Sequence, residues 1–123
     1  MEFEKFEEIA EQAFASLPDF FKSKIENVEV VVEDVPSQED LKRLRLPKHD
    51  LLLGLYKGIP YTERGTWYGM NATLPDRITL YRLNIEQLCR TEKDVESKIY
   101  EVLIHEIGHY FGMSDKEIHA AGY

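Results

Sequence analysis

The sequence predicts an α+β domain, with helices at both ends of the chain packed on one small sheet. Three observations predict it. Near the start, Phe3, Phe6, Ile9, Ala10, Ala13, Phe14 and Leu17 recur at helical spacing and form one apolar face. The middle of the chain holds short apolar or alternating runs punctuated by glycine and proline, the pattern of strands and turns. From Asn84 onward the pattern is helical again. Helix, strands, then helices is the order of an α+β fold rather than of repeating βα units. The 123 residues contain no repeat, low-complexity tract or linker, and read as one domain, residues 1–123.

Each element has a local reason. In the first helix, glutamates fill much of the face opposite the apolar stripe, and Pro18 ends the pattern. Between Asn27 and Asp34, Val28, Val30 and Val32 alternate with Glu29, Val31 and Glu33, which predicts a strand with one face mostly buried. Pro36 to Asp50 is polar and charged, so a long loop is expected, with a helical turn near Asp40 to Leu44 and His49 exposed. Leu51 to Tyr56 suits a short buried strand, followed by a turn at Lys57-Gly58-Ile59-Pro60 and a loop or hairpin from Thr62 to Tyr68. In Arg77 to Arg82, Ile78 and Leu80 alternate with Thr79 and Tyr81, predicting a third strand whose faces differ in polarity. Asn84 is placed to cap a short helical turn through Leu88. Thr91 with Asp94 resembles a capping box opening a long helix to about Phe111. Ser114 with Glu117 repeats the box for a last short helix, which Gly122 can end.

Composition narrows the partners. Fifteen Lys and Arg against 23 Asp and Glu give a net charge of −8, so nucleic acid and anionic membranes are not expected to bind. Cys89 is the single cysteine, which leaves no disulfide framework and suits a reducing compartment. The start Met1-Glu2-Phe3-Glu4 lacks the basic then apolar pattern of a signal peptide. No run approaches the roughly 18 apolar residues of a membrane span. A soluble, cytoplasmic protein is expected.

The chemistry concentrates in His105-Glu106-Ile107-Gly108-His109. Histidines spaced i, i+4 on a helix project from one face, one turn apart, and offer two nitrogen ligands to a tetrahedral zinc ion. Glu106 follows the first of them, where its carboxylate can accept a proton from a water on the ion without binding the ion itself. At about 100° per residue, Val95, Ile99, Val102, Leu103, Ile107 and Tyr110 spread over one apolar arc, with the histidines at its rim and Glu106 inside it. A carboxylate pointing into a core face costs several kcal/mol unless it is paired or hydrogen-bonded, so packing alone would not place one there. A third ligand has two candidates. Gly112 can adopt positive φ and reverse the chain, bringing Asp115 back toward the histidines. His119, four residues further on, is an alternative ligand, a partner hydrogen-bonded behind a ligand, or an ordinary helix histidine. Asp115 is favoured because its reach from Gly112 is the shorter. Three protein ligands plus water make a catalytic zinc site and four make a closed structural one.

His105-Glu106-x-x-His109-x-x-Gly112-x-x-Asp115 resembles the extended zinc motif of the zincin metallopeptidases, on the metzincin side, with aspartate in place of the usual third histidine. The chain as a whole is similar to a small bacterial family of minimal zincin-like metallopeptidases. The matching stretches are Asn27 to Asp34, Leu52 to Pro60, Leu74 to Tyr81 and the motif through Gly112. The resemblance implies a minimal zincin-like fold, a small mixed sheet packed against an N-terminal helix and a C-terminal active-site helix. It also implies one zinc ion at His105, His109 and Asp115, and a peptide or protein substrate hydrolysed with Glu106 as general base. Metzincins carry a methionine-containing turn beyond the third ligand, whereas Met113 of this chain lies inside the motif. Zincin substrates commonly lie along an edge strand, for which Trp67 to Asn71 or Arg77 to Arg82 is the candidate. Tyr61 and Arg64 are candidate cleft residues, since a guanidinium can bind a peptide carboxylate. Tyr110 and Phe111 are expected in the core. The alternative function is a non-catalytic binding or regulatory protein that keeps the metal for stability, and the alternative metal is another divalent ion.

Overall fold

The computed structural model describes residues 1–44, 51–58 and 75–123. Helix α1 (Phe3–Ala15) buries Phe6, Ile9, Ala10 and Ala13, the i, i+3, i+4, i+7 stripe of the sequence. Pro18 then opens a single helical turn, α2 (Asp19–Lys22), which plants Phe21 in the core. Strand β1 (Val28–Glu33) is followed by α3 (Gln38–Leu44), β2 (Gly54–Lys57) and β3 (Asp76–Tyr81). The chain closes with α4 (Arg82–Gln87), the 19-residue α5 (Glu92–Tyr110) and α6 (Asp115–Ala120). The loop expected to contain a helical turn near Asp40 to Leu44 thus holds α3, and β2 begins three residues later than the apolar run does. The expected loop or hairpin at Thr62 to Tyr68 lies outside the described residues.

The sheet is mixed, in the order β1-β3-β2, with β1 parallel and β2 antiparallel to β3. Register puts Val30, Ile78 and Tyr56 in one row and Val32, Leu80 and Gly54 in the next. That face meets α1 and α5, and the core forms between them from Phe6, Ile9, Ile78, Leu80, Ile99, Leu103 and Ile107. Each such side chain contributes about 1.5–3 kcal/mol by leaving water. The expected α+β architecture is observed, with helices at both ends of the chain on one small mixed sheet.

Three local expectations are corrected. Arg77 to Arg82 was a candidate edge, but β3 is the middle strand, buried on both faces: Thr79 and Tyr81 are as inaccessible as Ile78 and Leu80. Asn84 does not cap α4, whose cap position is Tyr81; instead it lies within the helix, where its Nδ2 donates to Leu52 O at 2.8 Å. Tyr110 and Phe111 are not core residues, being 47% and 42% exposed. Val31 and Glu29 are the outer alternates of β1 as expected, but of that strand only Val32 is buried.

On the other face of the sheet, both carboxylate oxygens of Asp40 in α3 accept from Lys57 Nζ, at 2.9 and 3.0 Å. This pair ties α3 to β2. No helix among the described residues is long and apolar enough to cross a membrane, and Cys89 is a free, half-buried thiol.

Candidate metal centre

Helix α5 is fixed at its start by the capping box foreseen in the sequence. Thr91 Oγ1 accepts from Asp94 N at 3.1 Å, and Asp94 Oδ2 accepts from Thr91 N at 3.2 Å. Val95, Ile99, Val102, Leu103, Ile104 and Ile107 then hold the helix on the core. This fixes its rotation, so His105 and His109 emerge on one side with rings 5.9 Å apart.

The turn after α5 brings in a third group. Gly112 has φ +87°, a left-handed conformation that side chains disfavour, and Met113 N donates back to Gly108 O at 2.8 Å. Ser114 then caps α6: its Oγ accepts from Glu117 N at 3.1 Å, and Glu117 Oε1 accepts from Ser114 N at 3.3 Å. Ile118, wholly buried, pins α6 against Gly108, where a Cβ would lie 2.7 Å from Ile118 Cδ1 and 3.0 Å from Cγ1. Glycine at 108 is therefore what lets α6 approach. The result places Asp115, the first residue of α6, over the histidines.

Asp115 Oδ1 lies 3.2 Å from His105 Nδ1 and 2.7 Å from His109 Nε2. The three donor atoms all fall within 4.8 Å of one another, making the one such group of three among the described residues. Both ring contacts hold the Asp115 carboxyl below its usual range, that from His109 more strongly than that from His105. Two imidazole nitrogens and one carboxylate oxygen are a zinc donor set, and ligands about 2.0–2.1 Å from a tetrahedral ion stand roughly 3.3 Å apart. The residues present fit the ion in type and approximate spacing. The His105 and His109 side chains are 21% and 45% exposed and that of Asp115 is 68% exposed, so the group faces solvent. The His119 ring lies 5.6 Å from that of His105, and His119 does not join the group of three.

Glu106, next to His105 along the helix, is turned toward the sheet. Its Oε1 accepts from the backbone N–H of Tyr56 in β2 at 3.1 Å. Burial pushes its carboxyl up, opposed by that N–H and by the charge on His109. Sequence reasoning did not foresee Tyr56. Its ring stacks on Tyr110 at 3.9 Å, and its hydroxyl donates to Asp76 Oδ2 at 2.8 Å. Met113 is half-buried and packs against the core. Tyr61, Arg64, His49 and the candidate edge Trp67 to Asn71 lie outside the described residues.

A long helix lying on a three-stranded mixed sheet, with two imidazoles on its open side and a carboxylate turned to the sheet, is a zincin-like arrangement. The chain belongs to the zincin-like metallopeptidase family, whose model matches residues 25–123. It is also similar in fold to a conserved hypothetical protein from Thermo thermophilus, with a TM-score of 0.54 and 22% identity over 89% of this chain and 94% of that one. No curated protein matches the chain.

Proposed function

We propose that the protein is a zinc-dependent peptidase, with one ion held by His105, His109 and Asp115 and with Glu106 as general base. The observation that carries this reading is the convergence of the three donor atoms within 4.8 Å on a helix that also carries, next to His105, a half-buried carboxylate outside the group. When bound, zinc supplies Lewis acidity, polarising a carbonyl and lowering the pKa of water. The chain's own groups do the rest. The imidazoles bind as neutral donors, and Asp115 brings one negative charge that favours a divalent cation. Burial raises the Glu106 carboxyl above the ordinary carboxylate value, which makes it a better proton acceptor. Its other role is to hand that proton to the leaving amine. The exposed side of the site leaves room for substrate, as a three-ligand catalytic centre requires.

Zinc-loaded protein and its Glu106→Gln variant, assayed side by side on a broad peptide library, test the proposal. Cleavage by the parent and not by the variant is expected. Tight zinc binding with no Glu106-dependent cleavage would instead support a metal-stabilised binding or regulatory role.

A further inference from the structure

One helical turn before His105, α5 borders a hollow of about 240 Å³. Leu52, Leu53 and Gly54, at the start of β2, line it on one side, and Glu101, Val102, His105 and Glu106 of α5 line it on the other. Glu101 and His105 are four residues apart, so both side chains sit on the same face of the helix. The Glu101 side chain is 57% exposed and its ion pair with Lys98, at 3.2 Å, is of the surface kind that contributes little and exchanges easily. Apolar walls with two carboxylates, the exposed Glu101 and the Glu106 held by Tyr56, suit a side chain with a methylene stem and a cationic head, and Glu106→Gln leaves Glu101 as the charged one of the two. The net charge of −8 favours the approach of such a substrate.

We propose that this pocket takes the lysine or arginine side chain of a substrate residue flanking the scissile bond, with Glu101 as the specificity-determining group. The inference rests on the peptidase reading above and deepens it by naming the substrate class. Norleucine in the same place keeps the stem and loses the charge. Glutamate there meets Glu101 as a like charge.

The test reads binding rather than turnover. Zinc-loaded Glu106→Gln protein is titrated by calorimetry with blocked tetrapeptides carrying lysine, norleucine or glutamate, placed on each side of the central bond in turn. On one side, the lysine peptide is expected to bind about threefold to fivefold more tightly than the norleucine peptide, the range of a partly exposed ion pair, with glutamate weakest. Adding Glu101→Gln is expected to bring the lysine to norleucine ratio to about one. Equal binding of lysine and norleucine peptides on both sides, no measurable lysine-peptide binding, or a preference that survives Glu101→Gln overturns the proposal. A Glu101-dependent ranking without cleavage of these peptides by the parent protein removes the peptidase reading and leaves the pocket assignment standing. Cleavage without the ranking does the reverse.

Discussion

The Glu106 carboxylate accepts a hydrogen bond at 3.1 Å from the backbone N–H of Tyr56, a residue fifty positions earlier on β2. The group proposed as general base is therefore fastened to the sheet, where β2 is an edge among the described strands. One of its oxygens is satisfied, yet its charge remains half-buried. Glutamine keeps the shape and the acceptor and removes the charge. Glu106→Gln is expected to lower peptide hydrolysis by about 10²–10⁴-fold, with zinc affinity changed only slightly. The zinc-free variant is expected to be more stable than the parent at neutral pH, by about 1 kcal/mol in urea unfolding.

The third ligand separates by mutation. Asp115 touches both imidazoles, whereas the His119 ring lies 5.6 Å from that of His105 and outside the donor group. Asp115→Ala is expected to weaken zinc binding at least 100-fold. His119→Ala should cost less than the roughly 10–100-fold typical of groups that support a ligand from behind. Competition with a chelating dye gives both values, and a loss confined to His119→Ala would contradict the assignment.

Gly108 makes the site depend on packing. An added methyl group would come within 2.7 Å of Ile118 Cδ1 and 3.0 Å of its Cγ1, so this wholly buried side chain must shift. Alanine gains up to about 1 kcal/mol in helix propensity over glycine, but overpacking costs about 1–3 kcal/mol. Gly108→Ala is expected to lower stability and to weaken zinc binding as well, because α6 carries Asp115. Unfolding and zinc titration of the same variant check both. A variant as stable and as tight as the parent would mean that the contact does not position α6.

The Asp40 and Lys57 pair predicts a pH effect away from the site. Its hydrogen bonds to Lys57 hold the Asp40 carboxyl below the usual carboxylate range, against the opposing effect of burial. A carboxyl with a depressed folded pKa stabilises the fold fully above its unfolded value and loses that contribution as pH falls through the folded one. Lys57→Met is expected to cost about 1–3 kcal/mol at pH 7, and the gap between parent and variant should narrow below about pH 4. Urea titrations of the two proteins between pH 7 and pH 3 measure the gap directly.

What could be read from the sequence was what is local along the chain. The boxes at Thr91 and Ser114 involve residues three apart, and Gly112 sets its own backbone angle, so the route from His109 to Asp115 was open to inspection. The unusual placing of Glu106 was also legible, because a helical arc is a local pattern. Its partner was not: a backbone N–H carries no side-chain signature, and the contact spans fifty residues. Strand order is non-local too, which is why Arg77 to Arg82 could stand as a candidate edge although β1 and β2 pair with it on either side. Tyr110 and Phe111 continue the apolar pattern at the end of α5 and remain partly exposed, with Tyr110 stacked on Tyr56. Glu101 had a signal that went unread, its i, i+4 relation to His105.

The central claim is that His105, His109 and Asp115 hold one zinc ion with a position left open. X-ray absorption at the zinc edge on the metal-loaded protein tests it most directly. The account predicts one ion per chain with two imidazole ligands, one carboxylate oxygen and one further oxygen that exchanges with added small ligands. A third imidazole contributed by His119, four protein ligands, or no bound zinc would contradict it.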